Sequence, residues 1–157
     1  MKQLLFNEVA IGERLDSLIM DISTTAVITG AMASRDYSPL HHNYHYVTTE
    51  AGHRDIFLNT PHQANIFERF LSDWSGSRGR LGRMGFKMKA SVYAGDNATI
   101  EGEIMESEVD AQGCAWVGLK LSISVGGEVC TECEVRYALP VSNQDNPWAR
   151  RGEEWQP

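Results

Sequence analysis

The spacing of apolar residues changes character near the middle of the chain. Between Thr24 and Arg35, Ala26, Val27, Ala31 and Ala33 recur close to the helical period behind a Thr24 or Thr25 cap, which predicts a short helix. After Ser38-Pro39 a His- and Tyr-rich stretch runs to Gly52 without a clear period, as expected of a loop carrying one further short helix at most. A long helix is predicted over Thr60 to Trp74, with Thr60 as its cap, Pro61 in the first turn where a missing N–H costs nothing, and Gly76 just past the end. Ile66, Phe67, Phe70, Leu71 and Trp74 share one face of it, a core stripe that predicts packing against a sheet.

Beyond Gly82 the period becomes two. Ala98, Ile100, Gly102 and Ile104 alternate with Thr99, Glu101 and Glu103 after a Gly95-Asp96 turn. Val117, Leu119, Leu121, Ile123 and Val125 lead through Gly126-Gly127 into Val129, Thr131, Cys133, Val135, Tyr137 and Leu139, which predicts a long antiparallel hairpin with a two-residue glycine turn. Pro140 ends it, and residues Val141 to Pro157 form a polar tail whose Trp148 and Trp155 are candidates to dock on a neighbouring molecule. One short N-terminal strand, helical and loop material, a long helix and then long strands imply an α+β fold. A long helix wrapped by an antiparallel sheet is the hot-dog arrangement, although the pattern alone leaves other α+β folds open.

At 157 residues the chain has the size of one domain over residues 1–157, with a composition (42% hydrophobic, 22% charged) typical of a globular protein. No apolar run approaches the length of a membrane helix, and the stretch Met1 to Phe6 is too short for a secretion signal. The net charge of −7 argues against a nucleic-acid surface spread over the whole protein, and three cysteines cannot all pair within one chain. These features lead us to expect a soluble, cytoplasmic, reduced protein.

The chemistry-bearing segment is Asp36-Tyr37-Ser38-Pro39-Leu40-His41, which puts a carboxylate and an imidazole five residues apart across a proline turn. In isolation Asp36 would read as a turn carboxylate and His41 as a turn histidine. The segment resembles the fingerprint of the MaoC-like, (R)-specific enoyl-CoA hydratase family: Asp, two variable residues, Pro, an aliphatic residue and His. Ser38 stands where the commonest pattern has Asn, and Leu58-Asn59 where the broad family opens its long helix with His-Gly. Ser34-Arg35-Asp36, His41-His42, Gly52, Asp55-Ile56-Phe57, Asn59 and Asp73-Trp74-Ser75-Gly76 are similar to a narrower group, the small MaoC-like subunits of actinobacterial steroid side-chain hydratases. The resemblance covers about residues 20–140.

That resemblance implies a single hot-dog domain that reversibly adds water to 2-enoyl-CoA thioesters. Asp36 and His41 are then the catalytic pair, holding one water between them, with His41 expected to accept its proton and Asp36 to orient it and handle the second transfer, or the two roles exchanged. A second expectation concerns the enolate oxygen, which would meet free backbone N–H groups near Asn59 and Thr60 at the mouth of the long helix, with the Asn59 side chain dispensable. No cofactor is implied, coenzyme A being part of the substrate. The partner is expected to be a second copy, giving a homodimer, or a second MaoC-like chain, giving a heteromer. Rival readings are an acyl-CoA thioesterase on the same fold and a non-catalytic acyl-CoA-binding subunit.

Among the other candidates, His41, His42, His45, His53 and His62 lack metal-ligand spacing, so no metal is expected, and His42 and His45 read as surface or supporting residues. Cys130-Thr131-Glu132-Cys133 is discarded as a thiol pair because residues three apart on a strand point to opposite faces, with Cys133 expected inside and Cys130 outside. Residues 77–89 carry five positive charges and no acid, which makes Arg78, Arg80 and Arg83 candidates for the coenzyme A phosphates, or else a solvated surface. Arg35 is a candidate partner for Asp36.

Overall fold

The computed structural model describes residues 3–157; Met1 and Lys2, part of the N-terminal stretch read as too short for a secretion signal, lie outside the described residues. Five antiparallel strands form one sheet in the order β1-β3-β4-β5-β2: β1 Leu18–Asp21, β2 Arg80–Met88, β3 Asn97–Val109, β4 Ala115–Val125 and β5 Glu128–Leu139. The helices α1 (Thr24–Ala33), α2 (Tyr44–Thr49) and α3 (Thr60–Ser75) all precede β2, so the first half of the chain supplies the helical layer. Ile66, Phe67, Phe70 and Leu71 of α3 are buried with Ile100, Ile104, Leu119, Leu121, Ile123 and Val135 of the sheet. This is the α+β architecture that the two periodicities predicted, in the hot-dog arrangement that the resemblance implied. Truncating a fully buried ring such as Phe67 would cost about 3–5 kcal/mol. Among the described residues no helix is long and apolar enough to cross a membrane.

The hairpin of β4 and β5 turns at Gly126 and Gly127, whose φ values of 60° and 86° are the left-handed pair that a tight hairpin demands. Its alternation is broken once. Ile123 pairs with Thr131 but Ser124 with Val129, so Cys130 is an extra residue in β5, and the bulge shifts the phase of the strand. Cys130 is therefore buried like Cys133, against the expectation that it faces outward, and Val129 is the exposed one. Burial pushes the Cys133 thiol up to about 12, so it stays protonated.

The polar tail also departs from expectation. Trp155 packs on Trp116 of its own sheet, with ring centroids 4.7 Å apart, and covers a small outer cluster with Cys114 and Ala138. Trp148 remains half exposed while its indole N–H donates to the Gly79 carbonyl at 3.0 Å. The tail is thus folded onto the outer face of the sheet.

Candidate active site

Helix α1 is capped at its start by Ser23, whose hydroxyl accepts the Ala26 N–H, rather than by the expected Thr24 or Thr25. At its other end the Arg35 N–H reaches the Met32 carbonyl at 3.1 Å and the Asp36 N–H reaches the Ala31 carbonyl at 2.9 Å. These two bonds close the helix through a left-handed residue, here Arg35 with φ 56°. Glycine is the usual choice for that position, and an L-residue with a side chain costs about 1–2 kcal/mol there. The strain sits directly beside Asp36.

From Asp36 the chain turns through Ser38, whose N–H donates to Asp36 Oδ1 at 3.2 Å, into a short 3-10 turn over Pro39–His41. His41 is buried. Its Nδ1 lies 2.8 Å from the Phe57 carbonyl, which can only accept, so Nδ1 carries a proton, and in the neutral ring Nε2 keeps a lone pair. Phe57 is held in turn by a bridge to Tyr93 and by the ring of His53, 4.8 Å away between centroids. The free Nε2 faces Asp36 Oδ2 at 3.4 Å, with the carboxylate side chain 30% exposed and the imidazole 9%. Two acceptors facing each other at a partly open position suit one water donating to both.

Asn59, not Thr60, is the cap of α3: its Oδ1 accepts the His62 N–H at 3.1 Å. The same carboxamide donates from Nδ2 to Asp36 Oδ2 at 3.1 Å and to Ser34 Oγ at 2.8 Å. The Asn59 side chain therefore ties the cap of α3 to the dyad carboxylate. The Asn59 amide, ahead of the Ser38 N–H and the nearby His41 and His42, holds the Asp36 carboxyl below the usual carboxylate range against a smaller opposing push from burial. Arg35 is not among these influences, so the proposed pairing with Asp36 is not made. With His62 capped and Pro61 lacking an N–H, Thr60 offers the free backbone donor of the first turn among the described residues. Its hydroxyl lies 3.7 Å from the Met88 sulfur.

The basic island divides. Arg78 donates to the carbonyls of Asn143 and Asp145 at 2.6 and 3.2 Å, and Arg80 to those of Pro147 and Arg150 at 3.0 and 3.2 Å. The Arg80 guanidinium also stacks 3.6 Å from the centre of the Trp155 ring. Both arginines fasten the tail at the far end of α3, about 24 Å of helix from Asn59. Arg83 alone of the three is exposed and unpaired among the described residues. Two open clefts of about 360 and 400 Å³ run along the outer face of the sheet; Arg83 lines the second and no dyad residue lines either. His42 and His45 are exposed.

The sequence pointed to Asp36, His41 and Asn59, which the fold does bring together. It did not point to Ser34 or to the Phe57 carbonyl. The tripeptide Asn59-Thr60-Pro61, an Asn two residues before a first-turn proline, was the signal for the asparagine cap.

No protein-family model matches the chain. The beta subunit of 3-oxo-4,17-pregnadiene-20-carboxyl-CoA hydratase from Mycobacterium tuberculosis is 28% identical over 94 residues, 60% of this chain and 72% of that one. The crystal structure of the ChsH1-ChsH2 complex from the same organism superposes with a TM-score of 0.76 at 22% identity, covering 83% of this chain and 98% of that one. An (R)-hydratase from A. caviae involved in PHA biosynthesis gives 0.73 at 22% identity over 84% and 98%. The five-stranded sheet and the buried long helix are the hot-dog fold of these structures, and the Asp36-Pro39-Leu40-His41 segment resembles the fingerprint of the MaoC-like hydratases.

Proposed function

We propose that this protein hydrates 2-enoyl-CoA thioesters to 3-hydroxyacyl-CoA, and runs the reverse dehydration, at the dyad of Asp36 and His41. The observation that carries the reading is the 3.4 Å approach of His41 Nε2 to Asp36 Oδ2 with Nδ1 already committed to Phe57. A water donating one hydrogen to each group is activated by the imidazole lone pair, the better base of the two because the carboxylate is already loaded by Asn59 and Ser38. The water oxygen bonds to the β-carbon, the π electrons move onto the thioester oxygen, and the proton passes to Nε2. The imidazolium so formed is stabilised by the adjacent carboxylate and returns a proton to the α-carbon as the enolate collapses. The Thr60 N–H, at the positive end of α3, is the donor available to the enolate oxygen.

The relative's being a beta subunit, and the two-chain complex among the structural neighbours, favour a working unit that includes a second MaoC-like chain. The relative's substrate makes a polycyclic enoyl-CoA the first to try. The decisive assay follows loss of the conjugated enoyl chromophore with short, medium and polycyclic enoyl-CoAs, using the chain alone and with a candidate partner chain. Hydration without thiol release supports the proposal. Thiol release would make the protein a thioesterase, and activity of the complex that survives loss of Asp36 and His41 would make this chain a non-catalytic subunit.

A further inference from the structure

The dyad carboxylate is held by a residue that is itself held. Asn59 is 2% exposed, and each polar atom of its carboxamide has an assigned partner: Oδ1 takes the His62 N–H, and Nδ2 gives one hydrogen to Asp36 and the other to Ser34. Flipping the amide would set an oxygen against the Asp36 carboxylate and an NH₂ against the His62 N–H, so only one orientation satisfies the surroundings. Ser34 Oγ in turn lies 2.9 Å from the Gly30 carbonyl and 3.1 Å from that of Ala31, so its single hydrogen goes back into the last turn of α1 and its lone pair is left for Asn59. The rotor is thereby oriented as an acceptor.

We infer that Ser34 is a positioning residue for Asp36, acting through Asn59: it fixes the carboxamide so that a hydrogen is always directed at Asp36 Oδ2. This inference rests on the hydratase reading only for its kinetic consequence. With Oδ2 loaded, the carboxylate stays ionised and aimed at the water shared with His41, leaving the basic role to the imidazole. The titratable groups acting on Asp36 are His41 and His42 at the following turn, while α3 contributes the neutral Asn59. Losing the Asn59 bond should therefore make the carboxylate easier to protonate.

The test is carbon-13 NMR titration of the Asp36 carboxyl, which needs no activity, alongside the pH profile of kcat/KM. Ser34→Ala should raise the Asp36 midpoint by about half a pH unit and lower kcat about tenfold, with the loss in kcat/KM deepest at the acid end of the profile. Ser34→Thr, which keeps the hydroxyl, should restore both. Asn59→Gly costs little as a helix cap and should shift the titration further, and adding Ser34→Ala to it should change nothing more if the serine acts through the asparagine. Ser34→Cys, which fills the same space with a weak hydrogen-bond partner, gives the same reading should Ser34→Ala fold poorly. An unmoved Asp36 midpoint, a Ser34→Thr protein that behaves like Ser34→Ala, or an additive double variant would each overturn the inference. A normal Ser34 effect on the titration in a protein that hydrates no enoyl thioester would instead overturn the hydratase reading and leave this one standing.

Discussion

The two ends of α3 both carry polar side chains at close range, and they differ in what those side chains are left free to do. At the first turn, His41 Nδ1 is tied to Phe57 and the two Asp36 oxygens to Ser38 and Asn59, while His41 Nε2 and Asp36 Oδ2 still face each other across a partly open gap. At the last turn, Arg78 and Arg80 direct their guanidinium hydrogens onto four backbone carbonyls of the tail, and Arg80 is also covered by Trp155. Guanidinium groups that direct hydrogens onto the chain's own carbonyls hold the tail in place, whereas the imidazole Nε2 and the carboxylate Oδ2 each keep a lone pair for a substrate or a water. By this criterion the acidic and imidazole pair is the reactive end and the arginine pair the structural one, although charge alone would have ranked them the other way for an anionic coenzyme.

The sharpest way to break this contrast is at the dyad. Asp36→Asn and His41→Ala should each lower hydration kcat about a hundredfold or more with little change in melting temperature, since neither removes core packing. Near-normal turnover in either variant, with the fold checked by circular dichroism, would remove the reactive end from the comparison.

Next in size is the contact that sets the distance between α1 and α3. A Cβ on Gly30 would fall inside the imidazole of His62, so Gly30→Ala should cost about 2 kcal/mol and push Ser34 away from Asn59. His62 Nδ1 is buried without a partner, and burial holds this imidazole below its ordinary value. The unfolded chain therefore binds the proton more readily than the native one. The stability that His62 supplies as a neutral group should be complete above about pH 6.5 and decline as pH falls from there towards the native value. Urea unfolding at several pH values reads this out, and His62→Gln should flatten the dependence in that window. A slope identical to that of the parent would show that His62 is not the group responsible.

At the other end, Arg80→Ala removes two charge-assisted bonds to the tail and a stacked cation and should cost about 2 kcal/mol while leaving KM for an enoyl-CoA unchanged. Arg83→Ala should leave stability alone; if the exposed guanidinium meets a coenzyme phosphate, KM should rise for the CoA ester and not for its pantetheine analogue. A rise in KM for Arg80→Ala would erase the distinction between the two ends.

What the sequence made legible follows the range of the physics involved. The aromatic stripe of α3 and the alternation of the hairpin are local periodicities, and both elements formed where those periods placed them. The phase of β5 near Cys130 was not legible, because a bulge depends on the pairing with β4. The dyad was visible because both members lie on one turn, and its resemblance to a family fingerprint gave it a role. Ser34 was invisible as a site residue because its partner Asn59 is 25 positions away and the two meet only when α1 packs on α3. The arginines failed for the opposite reason: a cluster of charge is conspicuous in sequence, but whether it is free depends on where a tail 65 or more residues later comes to rest.

The smallest predicted effect concerns Arg35, which joins the reactive end to the strain beneath it. Its φ of 56° follows from the two bonds that terminate α1, and those bonds also deliver Asp36 to the turn before His41. The side chain is exposed and makes no ion pair among the described residues, so the arginine contributes nothing at this position that a glycine would lose. Relief of the left-handed penalty, about 1–2 kcal/mol, is partly offset by the greater freedom of glycine in the unfolded chain. Arg35→Gly should therefore stabilise the protein by about 0.5 kcal/mol, a small upward shift of the urea midpoint without a change in slope. Because the backbone path is unchanged, kcat should stay within about twofold of the parent. A stabilised protein with a large loss of kcat would mean that the guanidinium acts on substrate from beside Asp36, and the reactive end would then have to include it.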